Sequence, residues 1–302
     1  MRVRYVCVGK NIPANQRNNH RRPQEVLARE VVRVSDIILE VMDARFLDET
    51  RNAELEAEIK AKGKKIIYIV NKVDLIDVKA LFASGKLKDL RPYVLISCKK
   101  NIGRKRLRDV IKIEVKRLRR ENSLILRNLK AGILDIPGKE KEQIIKIDKR
   151  AHVGIIGYPN TGKSTLINVL AGGGAANAAP ESGFTKGIQK IRFSKDILIL
   201  DSPGLIPEKE NLFVNSTDIK KHAKIGAKGF DKTKEPEFVV GEIMKEFPDK
   251  IEKFYQVVSD GDPELLIETL GRRWSYLLKG NTIDTDRTAR RILKDWQCGN
   301  IK

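Results

Sequence analysis

Cysteine is scarce in this chain of 302 residues: Cys7, Cys98 and Cys298 stand far apart, with no CxxC pair among them. That spacing argues against a disulfide framework and a cysteine zinc site, and makes a reducing cytoplasm the expected compartment. Long apolar runs are missing too. None approaches the roughly 20 residues that span a bilayer, so no membrane partner is expected. The opening Met1-Arg-Val-Arg-Tyr-Val-Cys-Val-Gly9 carries too short an apolar segment for a signal peptide. Aromatics make up only 6% of the residues, which leaves few platforms for stacking single-stranded bases. Acidic residues are in deficit, 40 against 60 Lys and Arg, for a net charge of +20.

The excess of positive charge is local. Residues 1–150 hold 37 basic and 20 acidic groups, residues 151–207 hold 5 and 3, and residues 208–302 hold 18 and 17. Within the first part, residues 1–22 carry six basic groups and no acid, and residues 99–120 carry eleven against two. Blocks of like charge repel unless a partner neutralises them, so this distribution points to nucleic acid. The phosphate-binding candidates are Arg104, Lys105, Arg106, Arg108, Lys116, Arg117, Arg119 and Arg120, with the basic arm. Further on, Lys220, Lys221, Lys224 and Lys228 cluster, as do Arg287, Arg290, Arg291 and Lys294. With so few aromatics, structured RNA recognised by shape is the better match. Trp274 and Trp296 sit in amphipathic patterns and are expected in the core.

Gly157-Tyr-Pro-Asn-Thr-Gly162-Lys163-Ser164-Thr165 follows the apolar run His152-Val-Gly-Ile-Ile156 and opens a helical pattern. Strand, glycine-bearing turn and helix start are the context in which G-x-x-x-x-G-K-[ST] cradles phosphates. Backbone N–H groups at Asn160, Thr161, Gly162, Lys163, Ser164 and Thr165 would face the phosphates, aided by the helix N-terminus. Lys163 would reach the β- and γ-phosphates, and the Ser164 hydroxyl would ligate Mg²⁺.

Three further stretches sit at the ends of apolar runs. Asn71-Lys72-Val-Asp74 follows Lys65–Val70. The Asp74 carboxylate can accept both the N1–H and the exocyclic amine of guanine, a donor pair that adenine lacks. The Asn71 side chain can tie this loop to the phosphate loop, and the Lys72 stem can cover the flat face of the base. Ser97-Cys98-Lys99, after Tyr93–Ile96, would add a backbone N–H toward guanine O6. Asp201-Ser-Pro-Gly204, after Ile197–Leu200, supplies a carboxylate that would reach Mg²⁺ through water and a glycine N–H that would sense the γ-phosphate. Between them, Gly183-Phe-Thr185 offers a hydroxyl that would complete the metal shell only with a γ-phosphate present.

Strands alternating with helices predict a mostly parallel α/β sheet with helices on both faces, a P-loop NTPase fold, ligand loops lying at the strands' carboxyl ends. The first helix is expected from Val26, Leu27, Glu30, Val31 and Val34, at spacings of three and four. Past Pro207 the strand signal stops, and four or five helices are expected. The organisation read from the chain is therefore a basic arm over 1–22, an α/β domain over 23–207 and an α-helical, RNA- or ribosome-contacting domain over 208–302.

The motif order is unusual, because Asn71-Lys-Val-Asp74 and Ser97-Cys-Lys99 precede the phosphate loop. This resembles the circularly permuted Ras-like GTPases, and more closely the ribosome biogenesis GTPase A (YlqF/YawG-like) family. Asp43-Ala-Arg45, Phe184-Thr-Lys-Gly-Ile-Gln189 and Asp286-Arg-Thr-Ala-Arg-Arg-Ile-Leu-Lys-Asp295 add to the likeness. The resemblance implies a monomeric GTPase that binds GTP and GDP with Mg²⁺, turns over slowly and acts on the large ribosomal subunit through rRNA. Lys163, Thr185 and Gly204 would be its catalytic groups. Leu205 replaces the usual water-orienting glutamine. His20 matches the spacing of the family's proposed N-terminal histidine, although its Asn/Arg neighbours differ from the family's. Asn160 stands where related GTPases ligate K⁺. Other readings are a nucleotide-gated RNA-binding module with incidental hydrolysis, or a GTPase of RNA modification or translation. Because the permutation joins the Asp201 loop directly to the helical domain, loss of the γ-phosphate is expected to rotate that domain.

Overall fold

In the computed structural model, the described residues are 24–133, 138, 144, 150–171, 189–202, 204, 221–222, 224–226, 229–233 and 235–301. The basic arm with His20, the Gly183–Thr185 stretch, Leu205, Lys220 and Lys228 fall outside them, as does the junction between the two expected domains.

Six strands form one sheet: β1 (Ile37–Asp43), β2 (Lys65–Asn71), β3 (Tyr93–Leu95), β4 (Ala151–Ile156), β5 (Gln189–Arg192) and β6 (Ile197–Asp201). Their spatial order is β3-β2-β1-β4-β6-β5. All neighbouring pairs are parallel except β5 with β6, which run antiparallel. Parallel strands buried on both faces read as continuous apolar runs; every residue of β1 is buried.

Alternate residues serve opposite faces. Ile37, Leu39 and Val41 join one core, which receives α4 (Arg104–Lys130) and α5 (Lys163–Ala171) through Leu107, Ile111, Val115, Leu166 and Ile167. Ile38 and Met42 join the other, covered by α1 (Gln24–Val34), α2 (Ala53–Ala61) and α3 (Val78–Ala83). Each such fully buried aliphatic side chain contributes roughly 1.5–3 kcal/mol. In α1, the structure differs from the expected stripe: Val26 and Val34 are exposed, whereas Leu27, Ala28, Val31 and Val32 are buried. Ala28 and Val32 share a core with Ile38, Met42 and Ile59. The end of α1 also approaches β4 closely: a Cβ at Gly154 would lie 2.4 Å from Ser35 Oγ and 2.8 Å from Val31 Cγ1, so glycine is needed there.

Lys64 ties off the end of α1. Its Nζ donates to the carbonyls of Val32, Arg33 and Ser35 at 2.6, 2.6 and 2.7 Å, a cation at the negative end of the helix dipole.

After the sheet come α6 (Pro236–Glu246), α7 (Lys250–Tyr255), α8 (Pro263–Arg273) and α9 (Thr285–Gln297). Four helices among the described residues agree with the expectation for this part. Their core contains Val240, Ile243, Leu266, Leu270, Ile292 and Trp296, and also takes in Phe46 and Tyr158 from the α/β part. The helical unit is thus built onto the loops that follow β1 and β4.

Candidate nucleotide-binding site

Because β1, β2, β3, β4 and β6 run parallel, their carboxyl ends meet along one edge of the sheet. Asp43, Asn71, Ser97, Gly157 and Asp201 all lie there. The phosphate loop is bent by residues with unusual backbone angles: Gly157 at φ 144°, Asn160 at 58° and Gly162 at 99°. A Cβ at Gly157 would come within 2.3 Å of the Val41 carbonyl oxygen, and one at Gly162 within 2.3 Å of Asn71 Nδ2. Glycine is required at both places by close approach as well as by conformation.

Asn71 joins three motifs. Its Nδ2 donates to the Thr161 carbonyl at 2.8 Å, and its Oδ1 accepts from the Cys98 N–H at 3.2 Å. Thr161 Oγ1 donates in turn to the Tyr158 carbonyl at 2.9 Å, bracing the loop. Ser97 is buried, and its Oγ accepts from the Lys100 N–H at 3.1 Å. Around this junction lies a cavity of about 260 Å³ lined by Asn71, Lys72, Asp74, Cys98, Lys99, Gly162 and Thr165, with Leu75, Cys298 and Gly299 closing it. The two motifs on either side of the permutation therefore share one cavity.

Lys72, which lines the cavity, has a left-handed conformation (φ 63°), its Nζ 2.8 Å from Asp43 Oδ2. Arg45 grips the same carboxylate, Nε to Oδ1 at 3.1 Å and Nη2 to Oδ2 at 2.9 Å. Burial would raise the Asp43 pKa, but Lys72 and Arg45 outweigh it and hold the carboxyl well below its ordinary range. Burial lowers the Lys72 pKa, with Asp43 opposing.

On the phosphate side, Lys163 is buried, and its Nζ donates to the carbonyls of Gly157 at 3.0 Å and Tyr158 at 2.5 Å. Burial pushes its pKa down while Asp201 opposes; burial likewise pushes Asp201 up, against Lys163 and the Ser202 N–H. Asp201 Oδ1 is buried with no hydrogen-bond partner among the described residues. An orphaned carboxylate oxygen is costly unless a cation or its water shell engages it. Together with Ser164, this set fits the oxygen-ligand demands of Mg²⁺. Gly204 lies against the phosphate loop: a Cβ there would be 2.8 Å from Pro159 Cα. Asn160 Nδ2 donates to the Gly226 carbonyl at 2.5 Å, which leaves its Oδ1 as the side chain's acceptor.

The basic candidates divide by their surroundings. Lys105, Arg106, Lys116, Arg117 and Arg120 are exposed on α4, although Arg117 also pairs with Glu114 at 2.5 Å. Arg104 is half-buried at the first residue of α4. Arg108 donates to the Leu170 carbonyl at 2.5 Å and lies over the Phe193 ring, and Arg119 reaches the Asp196 carbonyl at 3.4 Å, so both brace the fold. Arg290 is held by both Asp286 oxygens and by the carbonyls of Phe230 and Asp231. Arg287 and Arg291 are exposed and stack on Tyr276 and Trp274, each at 4.1 Å. Trp296 is buried as expected; Trp274 is half-buried at the edge of the helical core.

Sequence reasoning did not find Cys298 and Gly299 as cavity residues. The only signal was a glycine just past an amphipathic helix, which marks a helix stop and says nothing of a ligand.

A family model described as "50S ribosome-binding GTPase" matches residues 152–258. That span takes in the phosphate loop and Asp201-Ser-Pro-Gly204 but not Asn71–Asp74, as a permuted chain requires. An uncharacterized GTP-binding protein of Methanocaldococcus jannaschii is 32% identical over 280 residues, 92% of this chain and 66% of the relative. Nucleolar GTP-binding protein 2 of Neurospora crassa is 30% identical, covering 90% of this chain and 40% of that protein. The guanine nucleotide-binding protein-like NSN1 of Arabidopsis thaliana is 31% identical, covering 95% and 49%. The chain thus spans less than two thirds of the length of these relatives. Among solved structures, GDP-bound YlqF superposes with a TM-score of 0.54 at 21% identity, covering 90% of this chain and 93% of that one. A GNP-bound YlqF from T. maritima gives 0.54 at 20% identity, with 91% and 93% covered. With its motif order, its sheet and these likenesses taken together, the chain carries a GTPase domain with permuted motifs and shares the fold of the YlqF structures.

Proposed function

We propose that the protein binds GTP with Mg²⁺, hydrolyses it slowly to GDP and phosphate, and uses the cycle as a switch in large ribosomal subunit assembly. It would work as a cytoplasmic monomer with rRNA as its contact. The observation that carries this reading is the single cavity in which Asp74 and the Gly162–Thr165 turn stand together, with Asn71 bonded across them.

In this reading, Asp74 accepts the two donors of guanine, and the Lys99 N–H reaches O6, because the Cys98 N–H is already given to Asn71. Adenine would leave the carboxylate unsatisfied, at a cost of about 1–3 kcal/mol. Asp43 anchors the Lys72 ammonium so that its stem covers the base. Lys163 exchanges its two loop carbonyls for phosphate oxygens, bringing charge to where it develops in phosphoryl transfer. Ser164, and Asp201 through water, would hold Mg²⁺, which when bound would supply charge neutralisation for the phosphates. Thr185 would add its hydroxyl, and the Gly204 N–H would sense the γ-phosphate. Asn160 Oδ1 is the candidate ligand for K⁺, with His20 the other candidate for orienting water. The exposed basic residues of α4, together with Arg287 and Arg291, would meet rRNA phosphates and give steeply salt-dependent binding.

The test is twofold. A fluorescent GDP analogue should be displaced by GTP and GDP at far lower concentration than by ATP. Turnover should rise with purified large subunits, and with K⁺ over Na⁺, the latter effect lost in Asn160→Ala. Equal displacement by ATP ends the reading at its first step. A flat response to subunits ends the assembly role.

A further inference from the structure

Three contacts bring the end of α9 to the base side of the cavity. Cys298 and Gly299 line it alongside Asp74, Leu75 and Lys99. Gly299 has φ 67°, and a Cβ there would lie 2.6 Å from Leu75 Cδ1, so the turn packs flush on the loop that carries Asp74. Lys99 Nζ donates to Asn300 Oδ1 at 3.4 Å.

Beneath them runs a buried polar connection. Asp43 holds Lys72 Nζ at 2.8 Å and, with both oxygens, the guanidinium of Arg45. The remaining arm of Arg45, Nη1, donates to the Trp296 carbonyl at 3.0 Å, in the last turn of α9. Trp296 is itself locked: its ring centroid lies 5.1 Å from that of Phe247 and 6.2 Å from that of Phe46, and its Nε1 donates to the Lys224 carbonyl at 3.1 Å. One carboxylate thus holds the lysine beside the base and the arginine that anchors the helix end.

We propose that residues 296–300 form a working wall of the base pocket, with Asp43 and Arg45 as positioning residues that tie Lys72 to it. Docking of the helical unit's end and binding of the guanine base are then one equilibrium. The inference rests on the guanine-nucleotide reading above and adds a route by which the helical unit senses whether the base pocket is filled. By linkage, a base that favours the docked end is bound more tightly by the docked end, and by the same factor. The route differs from the loop after Asp201, because it answers to the base rather than to the γ-phosphate.

Cys298 supplies the reporter. It is an exposed free thiol, whereas Cys98 is buried and burial pushes its thiol up to about 12, which leaves little reactive thiolate. The experiment uses the full chain and N-ethylmaleimide, with labelling at Cys298 followed by peptide mass spectrometry, and GDP binding measured in parallel. GDP should slow labelling of Cys298 at least 10-fold, and ADP at the same concentration should not. Arg45→Ala should weaken GDP binding about 10-fold or more, speed labelling without nucleotide and abolish the protection. Arg45→Lys should recover part of each. Wild-type protein that binds no GDP would sink the underlying reading, and this inference with it. Wild-type protein that binds GDP yet labels at one rate with and without it overturns the inference alone. That arm needs no variant, so a failure of Arg45→Ala to fold leaves the question decided.

Discussion

The two halves of the site at the sheet's carboxyl edge treat buried polar groups in opposite ways. On the base side they are partnered by the protein: Asp43 by two cations, and Asn71 at both its oxygen and its nitrogen. On the phosphate side, Lys163 leans on two carbonyls, and one oxygen of Asp201 has no hydrogen-bond partner among the described residues. The contrast divides the labour. On the guanine-nucleotide reading, a self-satisfied base side would select by leaving wrong donors unmet. An under-satisfied phosphate side holds charge that a polyanion and its cation would complete, so most of the binding energy should come from there.

The sharpest way to break this contrast is Lys163→Ala. Affinity for GTP should fall about 100-fold or more, on the order of 3 kcal/mol, as expected for losing a charge-assisted contact in a buried site. Affinity for GMP should change far less. Competition of GTP and GMP against a fluorescent guanine nucleotide reads both. An equal loss for the two would show that the sides are not separable.

Much of this site is legible in the chain because its signals are local. An apolar run followed by Asn71-Lys-Val-Asp74 or by Gly157–Thr165 specifies a strand and the loop at its end. What escapes is set by tertiary approach. Val26 and Val34 fit a helical stripe as well as Ala28 and Val32 do, and only the core that Ala28 and Val32 share with Ile38, Met42 and Ile59 decides which pair is buried. Asp43-Ala-Arg45 is visible as a motif, but its partner Lys72 is met only when β1 and β2 pair in register, Asp43 beside Asn71. Cys298 and Gly299 lie far along the chain from Asp74, and nothing near them in sequence points to a cavity. The helical core borrows Phe46 and Tyr158, so the boundary drawn near 208 does not bound the packing.

A second substitution sharpens the base side alone. Asp74→Asn exchanges an acceptor pair for one acceptor and one donor, so the exocyclic amine of guanine loses its partner. GDP affinity should fall about 10- to 100-fold, with a gain for xanthine nucleotides, whose carbonyl accepts where guanine donates. Displacement curves for GDP and XDP on wild type and variant measure it. Unchanged preference would remove Asp74 from the base site.

Asn71→Ala tests whether the two sides are held together by this one side chain. It leaves the Thr161 carbonyl and the Cys98 N–H without their buried partner, at a cost of roughly 1–3 kcal/mol in stability. Urea unfolding should show a lower midpoint at unchanged slope. Nucleotide affinity should fall for GMP and GTP alike, unlike the pattern for Lys163→Ala. A variant as stable as wild type would mean that the junction is held elsewhere.

The rule of partnered against unpartnered charge also makes a prediction within β1, where Asp43 and Glu40 stand three residues apart. Glu40 is buried; its Oε1 accepts from the Asn52 N–H at 2.9 Å, while its Oε2 has no partner among the described residues. Burial, reinforced by Glu56, raises its pKa from 4.5 to about 8. The folded protein therefore keeps a proton that the unfolded chain has released, so stability is full below pH 4.5 and declines toward about 8. The limiting slope is about 1.4 kcal/mol per pH unit. Glu40→Gln keeps the shape without the titration and should flatten this group's share of the decline. Urea midpoints at pH 5.5 and 7.0 (about one unit inside each end of the window) should draw together relative to wild type. If the gap between them is the same in both proteins, Glu40 is ionised in the fold despite its missing partner, and the contrast drawn from the site does not extend to the strand beneath it.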